Sequence, residues 1–223
     1  MITLHNIRCR SLTIDHLEIL PGITSIIGPN GGGKTTLLRL CAGLLTPMNG
    51  TVLIDGKTPG QTETGYVNEF PDRNILFPTV NDELASPLRF SHVPCKEITE
   101  IVTAHARAWD ICHLLGRRMQ DLSGGEKMLM ALATACITRP TLLALDEYDS
   151  HLDASRCATI ETMIQQSGTT YIIRCTQQME TAASGDYLLF IDHGHIIHAG
   201  TPAAVFASLS GTPYYPLSWR CFG

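Results

Sequence analysis

What the chain does not contain narrows its class before any motif is read. Its eight cysteines, at 9, 41, 95, 112, 136, 157, 175 and 221, never fall into a CxxC pair, and several sit inside apolar helix or strand patterns. They read as reduced core thiols of a cytosolic protein, not as disulfides or a metal site. No basic block stands out: 16 Lys and Arg against 21 Asp and Glu give a formal charge of −5. That balance argues against nucleic acid as the main partner and leaves room only for a local basic patch. The longest apolar helical stretch, 128–137, falls well short of the ~20 residues a membrane span needs. The opening MITLHNIRCR lacks the apolar core of a signal peptide, so any membrane role has to come through a partner. No repeat or low-complexity stretch interrupts the 223 residues, which suit one large domain or a domain carrying an inserted subdomain.

What is present centres on residues 28–36, GPNGGGKTT. An apolar run at 23–27 precedes them and a leucine-rich run at 37–45 follows, which reads as buried strand, glycine loop, helix. Gly28, four residues, then Gly33-Lys34-Thr35 is the spacing of a phosphate-binding loop, in which backbone N–H groups wrap a polyanion at a positive helix N-terminus. Glycines at 31, 32 and 33 let the backbone approach phosphates without Cβ interference. Lys34 is placed to reach the β- and γ-phosphates, and the Thr35 hydroxyl to ligate Mg²⁺. Asn30, Gly31, Gly32, Gly33, Lys34, Thr35 and Thr36 are therefore the candidate ATP contacts. A plain glycine-rich turn is the competing reading, and the flanking strand and helix weigh against it.

Around this loop the pattern is that of an α/β protein. Apolar residues alternate at Ile2, Leu4 and Ile7 and again at Leu12, Ile14, Leu17 and Ile19, predicting an antiparallel N-terminal β edge. The helix after the glycine loop is expected to run on until Thr46-Pro47, with a further strand at 51–54 and a short one ending at Tyr66-Val67. From there three prolines, at 71, 78 and 87, and three-to-four-residue spacing of Ile98, Ile101, Val102, His105, Trp109 and Cys112 predict a helical insertion, its amphipathic helix ending at Gly116. Strand signals resume at 142–145, 171–173, 188–191 and 196–199, with a helix at 154–166, and buried strands alternating with helices imply a mostly parallel sheet. The organisation is a single domain: core segments 1–67 and 131–209, a helical subdomain at 68–130 and a C-terminal tail at 210–223.

Asp146 and Glu147 end the apolar strand 142–145, at the carboxyl edge of the sheet where phosphate-loop ligands bind. Asp146 can hold Mg²⁺ through water, and Glu147 can orient or deprotonate an attacking water. A pair of solvated acids at a strand end is the bland alternative. His193, His195 and His198 mimic a metal-ligand set, but Asp192-His193-Gly194 reads as a hairpin turn and strand alternation puts 195 and 198 on opposite faces.

Leu122-Ser123-Gly124-Gly125-Glu126, just before an apolar helix, resembles the signature sequence of ABC-type ATPases. The segments GLLTPMNGTVLIDG (43–56), FPTV (77–80), Ser150-His151-Leu152-Asp153 and DYLLFIDHGHIIHAGTPAAVF (186–206) match the family's order, so the resemblance covers nearly the whole chain. The PD…FPTV segment and the short N-terminus look most similar to ATPases of energy-coupling-factor importers for metal ions and vitamins. The resemblance implies a phosphate-loop NTPase of ABC type, binding ATP and Mg²⁺. It implies a head-to-tail dimer, in which Ser123, Gly124 and Gly125 touch the γ-phosphate held by the partner chain. It implies transmembrane transporter subunits as further partners, no nucleic acid, and a location on the cytoplasmic face of the membrane.

Several positions depart from the family pattern. Glu69 stands where a Gln is usual: it can still ligate Mg²⁺ but cannot donate to water or phosphate. Gln177 stands where a switch His is usual. No aromatic falls near Ser11 to stack on adenine, so base stacking is expected to be weaker, or supplied by Arg10 or His16. Leu129 replaces a usual Arg. Glu147, Gln177 and Glu69 are the candidate catalytic residues, and Thr35, Asp146 and Glu69 the candidate metal ligands. The leading expectation is an ATP-hydrolysing importer subunit. The alternatives are a weakly hydrolysing subunit that completes a partner's site in a heterodimer, its own site slow, or a non-transport ABC ATPase.

Overall fold

The computed structural model describes residues 1–220, the side chain of Ala154 excepted; Cys221 lies outside the described residues. Among the described residues, nine strands form two sheets. β1 (Ile2–Cys9), β2 (Leu12–Ile19) and β4 (Asn49–Ile54) make a three-stranded antiparallel sheet in the order β2-β1-β4. The N-terminal antiparallel β structure is thus a sheet of its own, laid over the core. Its inward alternation is the one read from the sequence: Ile2, Leu4, Ile7, Leu12, Ile14, Leu17 and Ile19 are all buried.

The second sheet has six strands in the order β5 (Thr64–Val67), β6 (Leu142–Asp146), β7 (Tyr171–Cys175), β3 (Gly22–Ile27), β8 (Tyr187–Asp192), β9 (His195–Gly200). All neighbours are parallel except β8 and β9, which form a hairpin. Both faces of its central strands are covered, so these strands are buried along their length and mostly apolar instead of alternating, with Thr24, Ser25 and Arg174 as the buried polar exceptions on β3 and β7. On β6, Leu143 and Leu145 pack toward the helical side, while Leu142 and Ala144 join the core beneath the antiparallel sheet.

Helices fill the connections between strands: α1 (Lys34–Cys41), α2 (Val80–Phe90), α3 (Cys95–Ala108), α4 (Gly124–Cys136), α5 (Ala154–Gln166) and α6 (Met179–Ala183); α7 (Pro202–Ser208) follows β9. Two end earlier than their apolar spacing predicts. α1 stops at Cys41, because Gly43 turns left-handed at φ 74 with a Cβ position only 2.9 Å from the Pro59 side chain, and Leu44 is left exposed. α3 stops at Ala108, not Gly116: Asp110 adopts φ 51, while Trp109, Ile111 and Leu114 stay buried and so prolonged the periodic signal. Helices α2, α3 and α4 pack against one another, and α4 is continuous across 130/131. Burial pushes the Glu83 carboxyl of α2 up from its ordinary range; it accepts N–H groups from Leu76 (2.9 Å) and Phe77 (2.8 Å), pinning the FPTV turn.

The seven described cysteines are free; Cys95 and Cys112 are exposed, against the expectation of core thiols, while the other five are buried, and burial pushes the Cys41 and Cys136 thiols up to about 12, so those two behave as apolar packing groups. The described tail covers a third core: Tyr214 meets Phe190 at 5.1 Å, and Trp219 meets Phe206 at 5.3 Å, both edge-on. His193 sits at the β8–β9 turn and His195 and His198 on β9, and no group of three or more His, Cys, Asp or Glu side chains placed to hold a metal occurs among the described residues.

Candidate nucleotide-binding site

The glycine loop leaves β3 and enters α1 at the carboxyl edge of the parallel sheet. Gly28 sits at φ 140, where a Cβ would lie 1.9 Å from the Ile191 carbonyl oxygen; Gly33 sits at φ 110. The β8–β9 turn braces the loop from the far side: Gly194 donates its N–H to the Gly32 carbonyl (2.9 Å) and accepts from the Thr13 N–H (2.8 Å). The concavity over the loop is lined by Ser11, Asn30, Gly31, Gly33, Lys34, Thr35, Thr36 and Glu147. Lys34 is 5% exposed, and its ammonium donates to the carbonyls of Gly28 (2.9 Å) and Pro29 (3.2 Å).

The two acids at the end of β6 take different surroundings. Asp146 accepts from the Thr35 hydroxyl through Oδ1 (2.9 Å) and from the Tyr66 hydroxyl through Oδ2 (3.0 Å), while Arg39 donates to Tyr66 (3.2 Å) and stands 4.0 Å from Asp146. Burial pushes the Tyr66 phenol up to about 12, which keeps it a donor, and the bond to Tyr66 raises the Arg39 guanidinium. A hydroxyl and a carboxylate held together offer the hard oxygen donors Mg²⁺ prefers, with coordination left over for phosphate and water. Thr35 and Asp146 fit such an ion. Glu69 faces the adjoining concavity that it shares with Asn30, Thr35, Arg39, Asp146, Glu147 and Gln177. Its carboxylate lies 3.8 Å from His151.

Glu147 departs from the strand at φ 49, a left-handed conformation rare outside glycine. Its Oε1 lies 3.8 Å from the Lys34 ammonium, and its Oε2 accepts from Gln177 Nε2 at 2.8 Å. The same Gln177 amide reaches Asn30 Oδ1 at 3.3 Å.

Residues 30–36, 69, 146, 147 and 177, scattered over the sequence, thus meet in one place. Ser123, Gly124 and Gly125 do not join them. They form the N-terminus of α4, where Ser123 caps the helix by accepting from Glu126 N–H (3.3 Å) and Glu126 returns the bond to Ser123 N–H (2.7 Å). Arg10 and His16 are not among the residues lining the loop's concavity; His16 stacks on His5 at 4.6 Å, and Ser11 forms the wall where an aromatic was sought. Leu129 packs, half-buried, against the helical core. Sequence reasoning missed Arg39 and Tyr66. Arg39 was within reach, being four residues after Thr35 and so on the same helix face; Tyr66 shows itself only once β5 is paired to β6.

Strand, glycine loop, helix and paired acids at one sheet edge define a phosphate-loop α/β domain. A family profile described as ABC transporter matches residues 12–150. The chain belongs to the ABC transporter family. It is 33% identical over 211 residues to the trehalose/maltose import ATP-binding protein MalK of Thermococcus litoralis, which covers 88% of this chain but only 57% of that longer protein. It is 34% identical over 217 residues to the energy-coupling factor transporter ATP-binding protein EcfA1 of Lactiplantibacillus plantarum, covering 92% of this chain and 74% of the other. The fold is that of cbiO1 of Clostridium perfringens, part of the ABC transporter complex cbiONQ, with a TM-score of 0.83 at 24% identity over 93% of this chain and 91% of that one.

Proposed function

We propose that this chain is the ATP-binding and ATP-hydrolysing subunit of an ABC importer, acting as a dimer beneath transmembrane partner subunits on the cytoplasmic face of the membrane. The observation that carries the reading is the convergence of Lys34, Thr35, Asp146, Glu147 and Gln177 on one glycine loop. The name of MalK, an import ATP-binding protein, supports the direction of transport, and that of EcfA1, a transporter ATP-binding protein, supports the coupling to transport. No helix among the described residues is long and apolar enough to cross a membrane, which agrees with a peripheral subunit.

ATP phosphates draw the Lys34 ammonium off the Gly28 and Pro29 carbonyls, while the N–H groups of residues 31–36 close around them. A Mg²⁺ held by Thr35 and Asp146, with Glu69 nearby, would offset phosphate charge. Glu147 accepts a proton from the water that attacks the γ-phosphorus, and the bond to the β–γ bridging oxygen breaks to leave ADP and phosphate. Gln177, a neutral amide, cannot relay that proton. It fixes one oxygen of Glu147 and leaves the other facing Lys34. Ser123 to Gly125, outside their own chain's site, supply a second anion-binding helix end to a partner chain's phosphate. The groove between β5 and the inserted helices, walled by Tyr66, Asn74, Glu83, Pro87 and the exposed Phe90, is the surface offered to the membrane subunits.

The test is ATP turnover by the purified chain beside Glu147→Gln. The reading requires Mg²⁺-dependent hydrolysis in the first, and in the second retained ATP binding with a shift from monomer to dimer in sedimentation. Equal turnover by both would remove Glu147 from its role.

A further inference from the structure

Beneath the site lies a buried polar cluster that the mechanism above does not use. Arg174 is fully buried in the middle of the otherwise apolar β7. It donates to Ser25 Oγ (2.9 Å) and Ser184 Oγ (2.9 Å), donates to the Thr181 carbonyl and pairs with Glu161, which also accepts from Tyr148. Asp149 beside it is 1% exposed. One of its oxygens accepts from the Thr176 hydroxyl at 2.5 Å; the other, also buried, has no hydrogen-bond partner among the described residues. Burying a carboxylate with half its capacity unused costs stability compared with an apolar side chain of the same shape.

The cost falls at a particular place. Thr176 and Gln178 flank Gln177, and both are tied to Asp149: Thr176 through the carboxylate, Gln178 by donating its side-chain amide to the Asp149 carbonyl at 2.8 Å. Thr176 Oγ1 also accepts from the Gln178 N–H at 2.9 Å, and the Glu147 N–H donates to the Cys175 carbonyl at 3.0 Å. Residues 147–149 and 175–178 are thereby laced together, and the last rung of the lacing is the Gln177–Glu147 contact itself.

We propose that Asp149 is a positioning residue: its grip on Thr176 and Gln178 holds the Gln177 amide against Glu147 in the orientation hydrolysis requires. The inference rests on the ATPase reading above. Gln177 is a long, flexible side chain whose own contacts are two exposed hydrogen bonds, so its orientation is set by what fixes the backbone on either side of it.

The experiment pairs two readouts on the full chain: the ¹H–¹⁵N resonances of the Gln177 side-chain amide, assigned by their loss in Gln177→Ala, and single-turnover ATP hydrolysis with ATP affinity measured separately. Asp149→Ala moves the Gln177 amide pair toward the position of a free glutamine. It leaves ATP affinity within about twofold and slows hydrolysis roughly tenfold to a hundredfold, the scale of a displaced catalytic contact. Asp149→Asn, which keeps an acceptor for Thr176, recovers most of that loss. In a Gln177→Ala background Asp149→Ala adds nothing further, because the two changes remove one interaction. Should Asp149→Ala fail to fold, Thr176→Val removes only the hydroxyl and carries the same expectations. An unmoved Gln177 resonance, or losses that add in the double variant, overturns the proposal. A wild-type chain that binds ATP without hydrolysing it defeats the ATPase reading instead, and with it the role of Asp149 in turnover, while the resonance still reports whether the lacing holds Gln177.

Discussion

The chain carries two helix N-termini proposed to meet phosphate, and they are built in opposite ways. The glycine loop before α1 is enclosed: Lys34 is almost fully buried, the β8–β9 turn presses on the loop from one side, and Asp146 and Glu147 close it from the other. The end of α4 at residues 123–125 stands outside any such enclosure. Its local supports are a capping box, the Arg117–Glu126 ion pair (3.1 Å) and the Arg156 side chain lying against Gly125, while a Cβ at Gly124 would meet nothing within 4 Å. An enclosed site binds by preorganisation within one chain. An open one has its N–H groups ready but must be covered from elsewhere before it can hold an anion strongly. The difference between the two ends is what makes a head-to-tail pair of chains a sensible proposal, since each would bring the half the other lacks.

The sharpest way to break this contrast is at the enclosed end. Lys34→Ala removes a buried ammonium aimed at the loop, and ATP binding should fall by at least ~100-fold in equilibrium dialysis; retained affinity would show that the N–H groups suffice alone. Next comes the open end. Ser123→Arg should leave the ATP affinity of the monomer within about twofold, yet abolish ATP-driven dimerisation in a Glu147→Gln background, with analytical ultracentrifugation as the measurement. An unaltered dimer would mean that residues 123–125 do not work across chains. A smaller effect is expected at Tyr66, whose hydroxyl orients Asp146. Tyr66→Phe keeps the ring and loses one charge-assisted bond, so the Mn²⁺ half-saturation of nucleotide binding, read by electron paramagnetic resonance, should rise roughly tenfold.

The smallest expected effect lies away from both ends. Burial holds the His105 imidazole of α3 below its ordinary 6.5, while its Nε2 bonds to the Ala133 carbonyl at 2.8 Å. The folded state therefore binds this proton less readily than the unfolded chain. The stability His105 supplies is fully present above pH 6.5 and is lost as pH falls from there through the lower folded value. Thermal melts between pH 7 and 5 should fall more steeply for the wild type than for His105→Gln, which offers a neutral donor. Parallel slopes would show that another group governs acid lability.

The parts of this design that could be read without coordinates are those written in contiguous residues. The loop at 28–36, the alternation of β1 and β2, and the acid pair closing β6 each carry their chemistry in local spacing. Gln177 was reached only through the family's order of segments, and its distance to Glu147 owes nothing to local pattern. Helix ends were misjudged where buried apolar residues continue past the last helical turn, as at Trp109 and Ile111, because the hydrophobic period reports burial and not hydrogen bonding. Tyr66 and Asp149 were silent for another reason. A polar side chain in an apolar strand or loop has no periodicity to betray it, and its meaning depends on partners 80 residues away for Tyr66 and 27 for Asp149.

The brace on the glycine loop bears on how the chain tolerates length. A two-stranded turn at the surface is ordinarily where extra residues, epitope tags or circularly permuted ends are accommodated at little cost. The β8–β9 turn has the look of such a place, with His193 91% exposed at its tip. Yet Gly194 is wedged so closely against the chain at Ser11 that a Cβ there would fall 1.9 Å from the Ser11 carbonyl, and its own amide props the phosphate loop. A single inserted residue would shift that wedge, and the disturbance would arrive at the nucleotide pocket, not in solvent. Among the hairpins of this molecule it is the one to leave untouched when a label or a fusion joint is placed.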